Sequence, residues 1–435
     1  MPSSIAFITL FLGIVSGKQV VQLRADASVA FVRITVAGAE VARLTQAPWR
    51  VEIDLGPELV PRELQAIGYD VNGSEVGRAS QFLNLPHEYA EVDIELLRIG
   101  AFPDGAQLRW HNLEYVGPKS AVVTFDGLPL RVDSRFRVRF PQTDWTRPHV
   151  VDAMMRFVDG IVARREVVMD GASFFDSAKA ELTPVLLVET STQHPASFDG
   201  CLSIDGSAVR VAAVDKDLAH VVFVQDPDPH LNVRALDPTG RASNALTRME
   251  VANWARLDED TMEEILWPVA RRFADQSSGS VSRLFEHTAD FQPRTGLIGL
   301  LTFQSKWGFN LPRQYADAVA VAGGDRALLG GRRRAVVLVL SERQDVSGSD
   351  PGAARRYLAS IGVPLFVWSP VETSADATAR WGTIEDISTI DHLRAAAARL
   401  RQTLAAQRIA WIHADALSAL RVKADERCGF AAVAH

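Results

Sequence analysis

Four carboxylates stand close behind apolar runs of the kind that form buried strands. Asp226 and Asp228 follow VVFV, and Glu342 and Asp345 follow AVVLVL. In open α/β sheets the loops at the C-terminal strand ends carry the function. Gathered on one rim, these side chains would offer oxygens to a hard divalent cation, which requires several of them in an octahedral array. Without a cation they make a solvated polar rim, which is the simpler reading. Other chemistry is sparse. GIVSGK at 13–18 resembles a phosphate loop, but it is one residue short and Gln19 replaces the Ser or Thr that would hold magnesium. It reads as a turn. HExxH and GxSxG are absent, and His149 and His220 lie inside apolar runs as packed side chains. Trp307, in the loop 304–310, is the aromatic best placed to meet a partner.

The elements that must position the rim are legible around 332–368. Two Val- and Phe-rich runs, 335–340 and 363–368, are too short for buried helices and read as strands dry on both faces. Between them Ser349 or Asp350 can cap a helix, Pro351 suits its first position, and Tyr357, Leu358 and Ile361 form a stripe before Gly362. Strand, helix and strand with short joins make a right-handed parallel crossover. Its working loop is 341–349. Further strands are expected at 220–224, 265–269, 284–291, 299–303 and 408–413, with helices at 243–257, 314–329 and 388–406. That alternation calls for a parallel sheet covered on both faces.

Upstream the texture is all β. Short alternating runs from 5 to 86, broken by Gly38, Pro48, Gly56 and Asn72-Gly73, suggest a small sandwich. The apolar stretch 5–15 reads as its edge strand, with a signal-peptide core as the alternative. The segment 91–171 repeats the pattern: Pro61, Ala66, Gly73 and Arg78 have the same spacings as Pro148, Ala153, Gly160 and Arg165, and Gly38 has a counterpart in Gly127. Two copies of one immunoglobulin-like sandwich are expected, with Gly73 and Gly160 in equivalent turns.

The runs GRRRAVVLVLSERQD and YLASIGVPLFVW resemble the second half of a von Willebrand factor A (VWA) domain, close to the VWA-related family of secreted bacterial proteins. WGTIEDISTIDHLRAAAARLRQTLAAQRIAWI is similar to that family's last helix and the strand after it. The resemblance implies a doubly wound α/β domain that is not an enzyme and binds protein ligands, often through Mg²⁺. It also implies a metal site built from Asp-x-Ser-x-Ser after the first strand, a Thr, and an Asp after the fourth. This chain departs at each point. Asp226 matches the first Asp, but Asp228 and His230 replace the serines, and Pro227 and Pro229 stiffen the loop. NLPRQ at 310–314 has no Thr, and Ser341-Glu342 stand where the last Asp belongs, with Asp345 further on. A degenerate metal-ion-dependent adhesion site is therefore expected, with Mg²⁺ disfavoured and recognition resting on Trp307, Arg313 and Arg343.

Net charge of −7 and the lack of a long basic run argue against nucleic-acid binding, and no apolar run would span a bilayer. Cys201 and Cys428 fit no zinc pattern; near the two ends of the third domain, they are either bonded or two buried thiols. The expectation is a three-domain, non-enzymatic binding or scaffold protein: sandwiches at 1–87 and 88–172 and a VWA-like domain at 173–435. By family resemblance it is secreted or periplasmic, with protein partners. Alternatives are a metal-dependent adhesin or hydrolase using Asp226, Asp228, Glu342 and Asp345, or an intracellular assembly factor.

Overall fold

The computed structural model describes residues 5–432 apart from 10, 12–13, 86–89, 100–101, 113–116, 145–148, 158–161, 170–176, 179–181, 192–194, 196–197, 199, 217, 228–255, 259, 271–284, 288–295, 304–309, 327–331, 342 and 415. The chain divides into two compact units, 1–86 with 183–435, and 87–182.

Alternating sequences give strands with one dry face; in KQVVQLRA every second side chain from Gln19 to Arg24 is buried, Gln19, Val21 and Leu23. The first module contains β1 (Ile5–Phe7), β2 (Lys18–Ala25), β3 (Phe31–Val36), β4 (Ala39–Leu44), β5 (Arg50–Asp54), β6 (Arg62–Tyr69) and β7 (Glu75–Leu83), in two antiparallel sheets ordered β1-β2-β5 and β4-β3-β6-β7. Val21, Leu23, Ile34, Leu64 and Ala66 fill the space between them. Ile5–Phe7 is an edge strand against β2.

The second module contains β8 (Ala90–Ile99), β9 (Phe102–Asn112), β10 (Pro118–Phe125), β11 (Leu128–Leu130), β12 (Arg137–Arg139), β13 (His149–Phe157), β14 (Val162–Met169) and β15 (Ser177–Ala178). Its sheets run β12-β9-β8 and β11-β10-β13-β14-β15, so strand order repeats that of the first module. Register repeats too. Ala66 lies opposite Ile34 and Ala153 opposite Val123, and both alanines are fully buried. The turns Ala37-Gly38 and Asp126-Gly127 have positive φ at both residues, as the tight hairpins between β3 and β4 and between β10 and β11 require. Tyr69 pairs with Glu75 as Arg156 pairs with Val162, but a bulge after Gly68 then slips β7 by one residue. Arg78 therefore faces Ile67 while Arg165 faces Ala153. Gly73 occupies its turn at φ +81°, and Gly160 lies outside the described residues.

Beyond the second module come β16 (Leu182–Glu189), β17 (Leu202–Ile204), β18 (Ser207–Ala208) and β19 (Val211–Asp215), then β20 (Ala219–Gln225), β21 (Thr261–Ala270), β22 (Phe285–His287), β23 (Arg333–Val339), β24 (Leu365–Ser369) and β25 (Glu385–Asp386). The last six form one sheet, ordered β22-β21-β20-β23-β24-β25, with β22 antiparallel and the others parallel. Numbered along the chain this is 3-2-1-4-5-6, the doubly wound order. One face packs Val222, Val224, Val336 and Leu338 against α2 (Tyr315–Val321) and α3 (Pro351–Ser360). The other packs Val221, Phe223 and Val337 against α1 (Leu297–Leu301) and α5 (Ile390–Ala406). Asp350, not Ser349, caps α3, accepting from the amides of Gly352 and Ala353, and α4 (Ala375–Trp381) follows β24.

Two expectations are corrected. Residues expected as a strand at 299–303 enter helix α1, because LIGLLTF is apolar without a period that separates helix from strand. The strand expected to end the α/β domain, β26 (Gln407–His413), does not join the parallel sheet. With β27 (Val422–Ala424) and β28 (Phe430–Ala432), the latter two following the short α6 (Ala416–Ala419), it completes a third β module, with sheets β19-β26-β16-β28 and β18-β17-β27 and its own core of Leu187, Leu202, Ile412 and Phe430. The α/β domain is thus inserted between the two halves of this module. Cys201 and Cys428, one from each half, form a disulfide with Cα atoms 5.8 Å apart.

Within the same unit the first module docks on the α/β domain. Ile14 and Leu59 belong to the buried cluster of Tyr357 and Leu358, and Glu58 makes a two-pronged ion pair with Arg356 at 2.7 and 2.9 Å.

Two measurements follow. Replacing both cysteines by serine is expected to lower stability by about 2–5 kcal/mol, read as a lower urea midpoint in tryptophan fluorescence. Glu263 points into the apolar face of β21 and burial pushes its carboxyl from 4.5 up to about 8. The folded chain therefore holds a proton that the unfolded chain has released. This group's contribution is full below pH 4.5 and is lost by about 1.4 kcal/mol per pH unit until about pH 8. Glu263→Gln should flatten that slope in denaturation curves.

Candidate functional site at the sheet switch point

In this strand order the direction of winding reverses between β20 and β23, and the crevice beyond their C-terminal ends is the natural ligand position. Asp226 follows β20 and Ser341 follows β23 almost directly. The loop before α2 closes the group: Arg313 bridges to Asp345 in parallel fashion, and the Val346 amide donates to the Arg313 carbonyl at 2.7 Å.

Arg313 does not reach outward. It is 1% exposed and grips Asp226, itself 3% exposed, with Nη2 to Oδ1 at 2.8 Å and Nε to Oδ2 at 3.0 Å. Its Nη1 donates to the Leu311 carbonyl. The planar guanidinium matches both carboxylate oxygens at once, which a point charge cannot do. Asp226 Oδ2 is also 3.0 Å from the Tyr315 hydroxyl and 3.1 Å from Ser341 Oγ, and those hydroxyls stand 2.6 Å apart. Two hydroxyl hydrogens serve three contacts, so only two are donated at a time. Burial, and then the Asp226 carboxylate, hold the Tyr315 phenol protonated far above its usual range. Arg343 Nε lies 3.7 Å from Asp226 Oδ2 with its side chain 40% exposed, so two cations share this carboxylate.

Asp345 is committed elsewhere. Gln314 offers no side-chain cap to α2, and Asp345 supplies one from the facing loop. Its Oδ1 accepts from the Tyr315 amide at 3.0 Å and from the Ser347 amide and hydroxyl, and its Oδ2 from the Ala316 amide at 3.3 Å. Asp317 takes the amides of Gly348 and Ser349 at 2.8 and 3.0 Å; burial raises its pKa against the pull of those bonds. The 345–349 loop is thereby tied to α2.

Of the residues singled out in the sequence, the structure brings together Asp226, Arg313, Arg343 and Asp345. Asp228, Trp307 and Glu342 lie outside the described residues. Arg313, expected to meet a partner, is instead consumed as the internal partner of Asp226. Tyr315 was not foreseen, and Ser341 was expected there only as the residue standing where the last Asp of the metal site belongs. The available signal was an Asp retained without its hydroxyl and Thr companions, which must find another cation and other donors. Around these strand ends Arg343, Phe303 and Val346 are exposed, the last two to 41% and 45%, with the Phe303 ring stacked on Trp267 at 6.2 Å. Gln225 fixes Phe303 there, donating from Nε2 to the carbonyls of Leu300 and Phe303 at 3.0 and 3.3 Å.

These features define a doubly wound α/β domain with a guanidinium-filled rim, carried by a multidomain, mostly β chain. No protein-family model matches the sequence, and no curated protein does. Solved structures similar to parts of it include the fibronectin(III)-like modules of Clostridium thermocellum CbhA, at 16% identity over 18% of this chain and 92% of that one, TM-score 0.17. A von Willebrand factor type A protein from Catenulispora acidiphila is 13% identical over 53% of this chain and 52% of its own, TM-score 0.24. Proximal thread matrix protein 1 of the mussel byssus is 14% identical over 49% and 50%, TM-score 0.27. These likenesses are remote and partial, and the fold assignment rests on strand order and register.

Arg313→Ala would leave a buried carboxylate without its main partner, and should cost about 3–5 kcal/mol in urea denaturation. Adding Asp226→Asn should recover part of that loss, since the uncompensated charge is then gone.

Proposed function

We propose that this chain is a non-enzymatic protein-binding scaffold whose α/β rim works without a metal ion. The observation that carries this reading is the buried Asp226–Arg313 pair. A divalent ion at Asp226 would have to displace a guanidinium from both carboxylate oxygens and tolerate a second cation, Arg343, close by. Magnesium also demands near-octahedral oxygen geometry and sheds water reluctantly, while Asp345 is engaged by backbone amides. The donor set suits a guanidinium and does not suit Mg²⁺. Recognition then falls to the exposed parts of the rim, Arg343, Phe303 and Val346, a mixed cationic and apolar surface of the kind that proteins use for one another.

A secreted or periplasmic location accords with the Cys201–Cys428 disulfide, since such bonds persist in oxidising compartments. Among the described residues no helix is long and apolar enough to cross a membrane.

Calorimetry of the full chain with Mg²⁺ and Mn²⁺ should show no site tighter than about 100 µM, or roughly −5.5 kcal/mol. Partners captured from native extract should be retained in EDTA and lost by the double variant Phe303→Asp, Arg343→Glu. A tighter metal site abolished by Asp226→Ala would overturn the proposal and favour a metal-dependent adhesin.

A further inference from the structure

The hairpin tip between β6 and β7 reads Asp70-Val71-Asn72-Gly73-Ser74. Asp70 builds this turn. Its Oδ1 accepts from the amides of Asn72 at 2.9 Å and Ser74 at 2.8 Å. Its carbonyl accepts from the Gly73 amide at 3.1 Å, and its own amide donates to the Ser74 carbonyl at 3.0 Å. Gly73 supplies the positive φ at which the chain reverses. Among the described residues, neither the Asn72 carboxamide nor the Ser74 hydroxyl has a hydrogen-bond partner. The turn therefore uses the backbone of these two residues and leaves both side chains without a structural task.

The repeat makes the same point. The stretch of the second module that matches 71–74 reads Val158-Asp159-Gly160-Ile161. Asn and Asp serve equally before the glycine of such a turn, and Ile stands where the first copy has Ser74. What the first copy adds is an Asn followed two residues later by a hydroxyl, with no proline between. Among all the asparagines of the chain, Asn72 alone has that pattern. It is the acceptor pattern for N-linked glycosylation, whose structural condition is an exposed loop. The condition is met here. Residues 71–75 are all exposed, and a side chain at Gly73 would meet no atom within 4 Å. Val71, beside the acceptor, is 88% exposed, more than any other large apolar side chain among the described residues.

We propose that Asn72, on a chain exported as the preceding reading has it, is the attachment site of an N-linked glycan. Its Nδ2 attacks the anomeric carbon of an oligosaccharide carried on a lipid diphosphate. The new bond from nitrogen to that carbon replaces the bond from the carbon to a phosphate oxygen. The lipid diphosphate leaves with the electron pair, and one Nδ2 proton passes to a base of the transferase. Ser74 marks the acceptor for that enzyme through its hydroxyl. The carboxamide gives up no contact within the protein on modification, and the sugar covers Val71 and the hairpin tip. The second module, with Asp159 and Ile161 at the matching positions, is not modified there.

The full chain, purified from its native producer and kept unreduced, is digested with trypsin, which cuts after Arg62 and Arg78 and leaves 63–78 as one peptide. Mass spectrometry should find this peptide heavier by a whole number of sugar residues, carried on Asn72. Ser74→Ala should abolish the addition while leaving Asn72 in place, and Ser74→Thr should retain it. The Ser74 side chain is exposed and unbonded, so neither variant threatens the fold. A bare peptide, or an addition that survives Ser74→Ala, would overturn the proposal. So would a peptide altered only from Asn to Asp, the product of ammonia loss at an Asn-Gly step. The same digest reads the state of Cys201 and Cys428. Bonded cysteines with a bare peptide would count against the glycan alone, and free thiols with a bare peptide would count against the exported location as well.

Discussion

A carboxylate removed from water at the end of a central strand must be answered by a positive partner, because its desolvation costs several kcal/mol. Asp226 is in that position, and the identity of its partner decides what the rim can do. A metal ion would hold Asp226 while keeping a coordination position open to the outside. Arg313 holds it through both carboxylate oxygens but directs its donors inward, to Asp226 and the Leu311 carbonyl. The pair also fixes geometry. Through Asp226, Arg313, Tyr315 and Ser341 it joins the end of β20, the loop before α2 and the loop after β23. Those three segments define the crevice, so the same interaction that shapes the rim removes its buried centre from contact with partners. What remains outward is carried by Phe303, Val346 and Arg343, the last of which still reaches the edge of the Asp226 carboxylate.

The parts of this architecture that were legible in sequence are those set by local physics. In 332–368, two apolar runs of strand length flank a helix with Asp350, Pro351 and Gly362 at its boundaries, and each feature acts where its chemistry dictates. The repeat was legible for the same reason: turn residues with positive φ at Gly38 and Gly127 and core alanines at fixed spacing are local requirements. Pairing is not local. The run 408–413 is a strand by composition whichever sheet it enters, and contacts with Val211–Asp215 and Leu182–Glu189, some two hundred residues earlier in the chain, place it in the third module. At the rim the positions of Asp226 and Asp345 were legible, but their partners were not. An Arg in a loop reads as exposed until the topology sets it against a buried carboxylate.

The nested connectivity has a consequence for how the chain assembles. Joining β19 to β26 directly would require an unfolded chain to close a loop of nearly two hundred residues before any pairing energy is gained. A folded α/β domain changes that problem. β20 starts the domain and α5 ends it, and their neighbouring segments emerge together: Gln407, the first residue after α5, accepts from the Arg334 amide at 2.7 Å and donates to the Arg334 carbonyl at 2.9 Å. Those contacts fix β26 beside the start of β23, one strand away from β20 and hence close to β19. The inserted domain then acts as a short rigid connector, and the halves of the third module meet with most of their closure entropy already spent. Pairing of β16, β19, β26 and β28 brings Cys201 and Cys428 within bonding distance, and the disulfide makes that closure permanent. With the α/β domain folded, completing the module that contains it costs less closure entropy, because the two chain ends of the insertion lie close together.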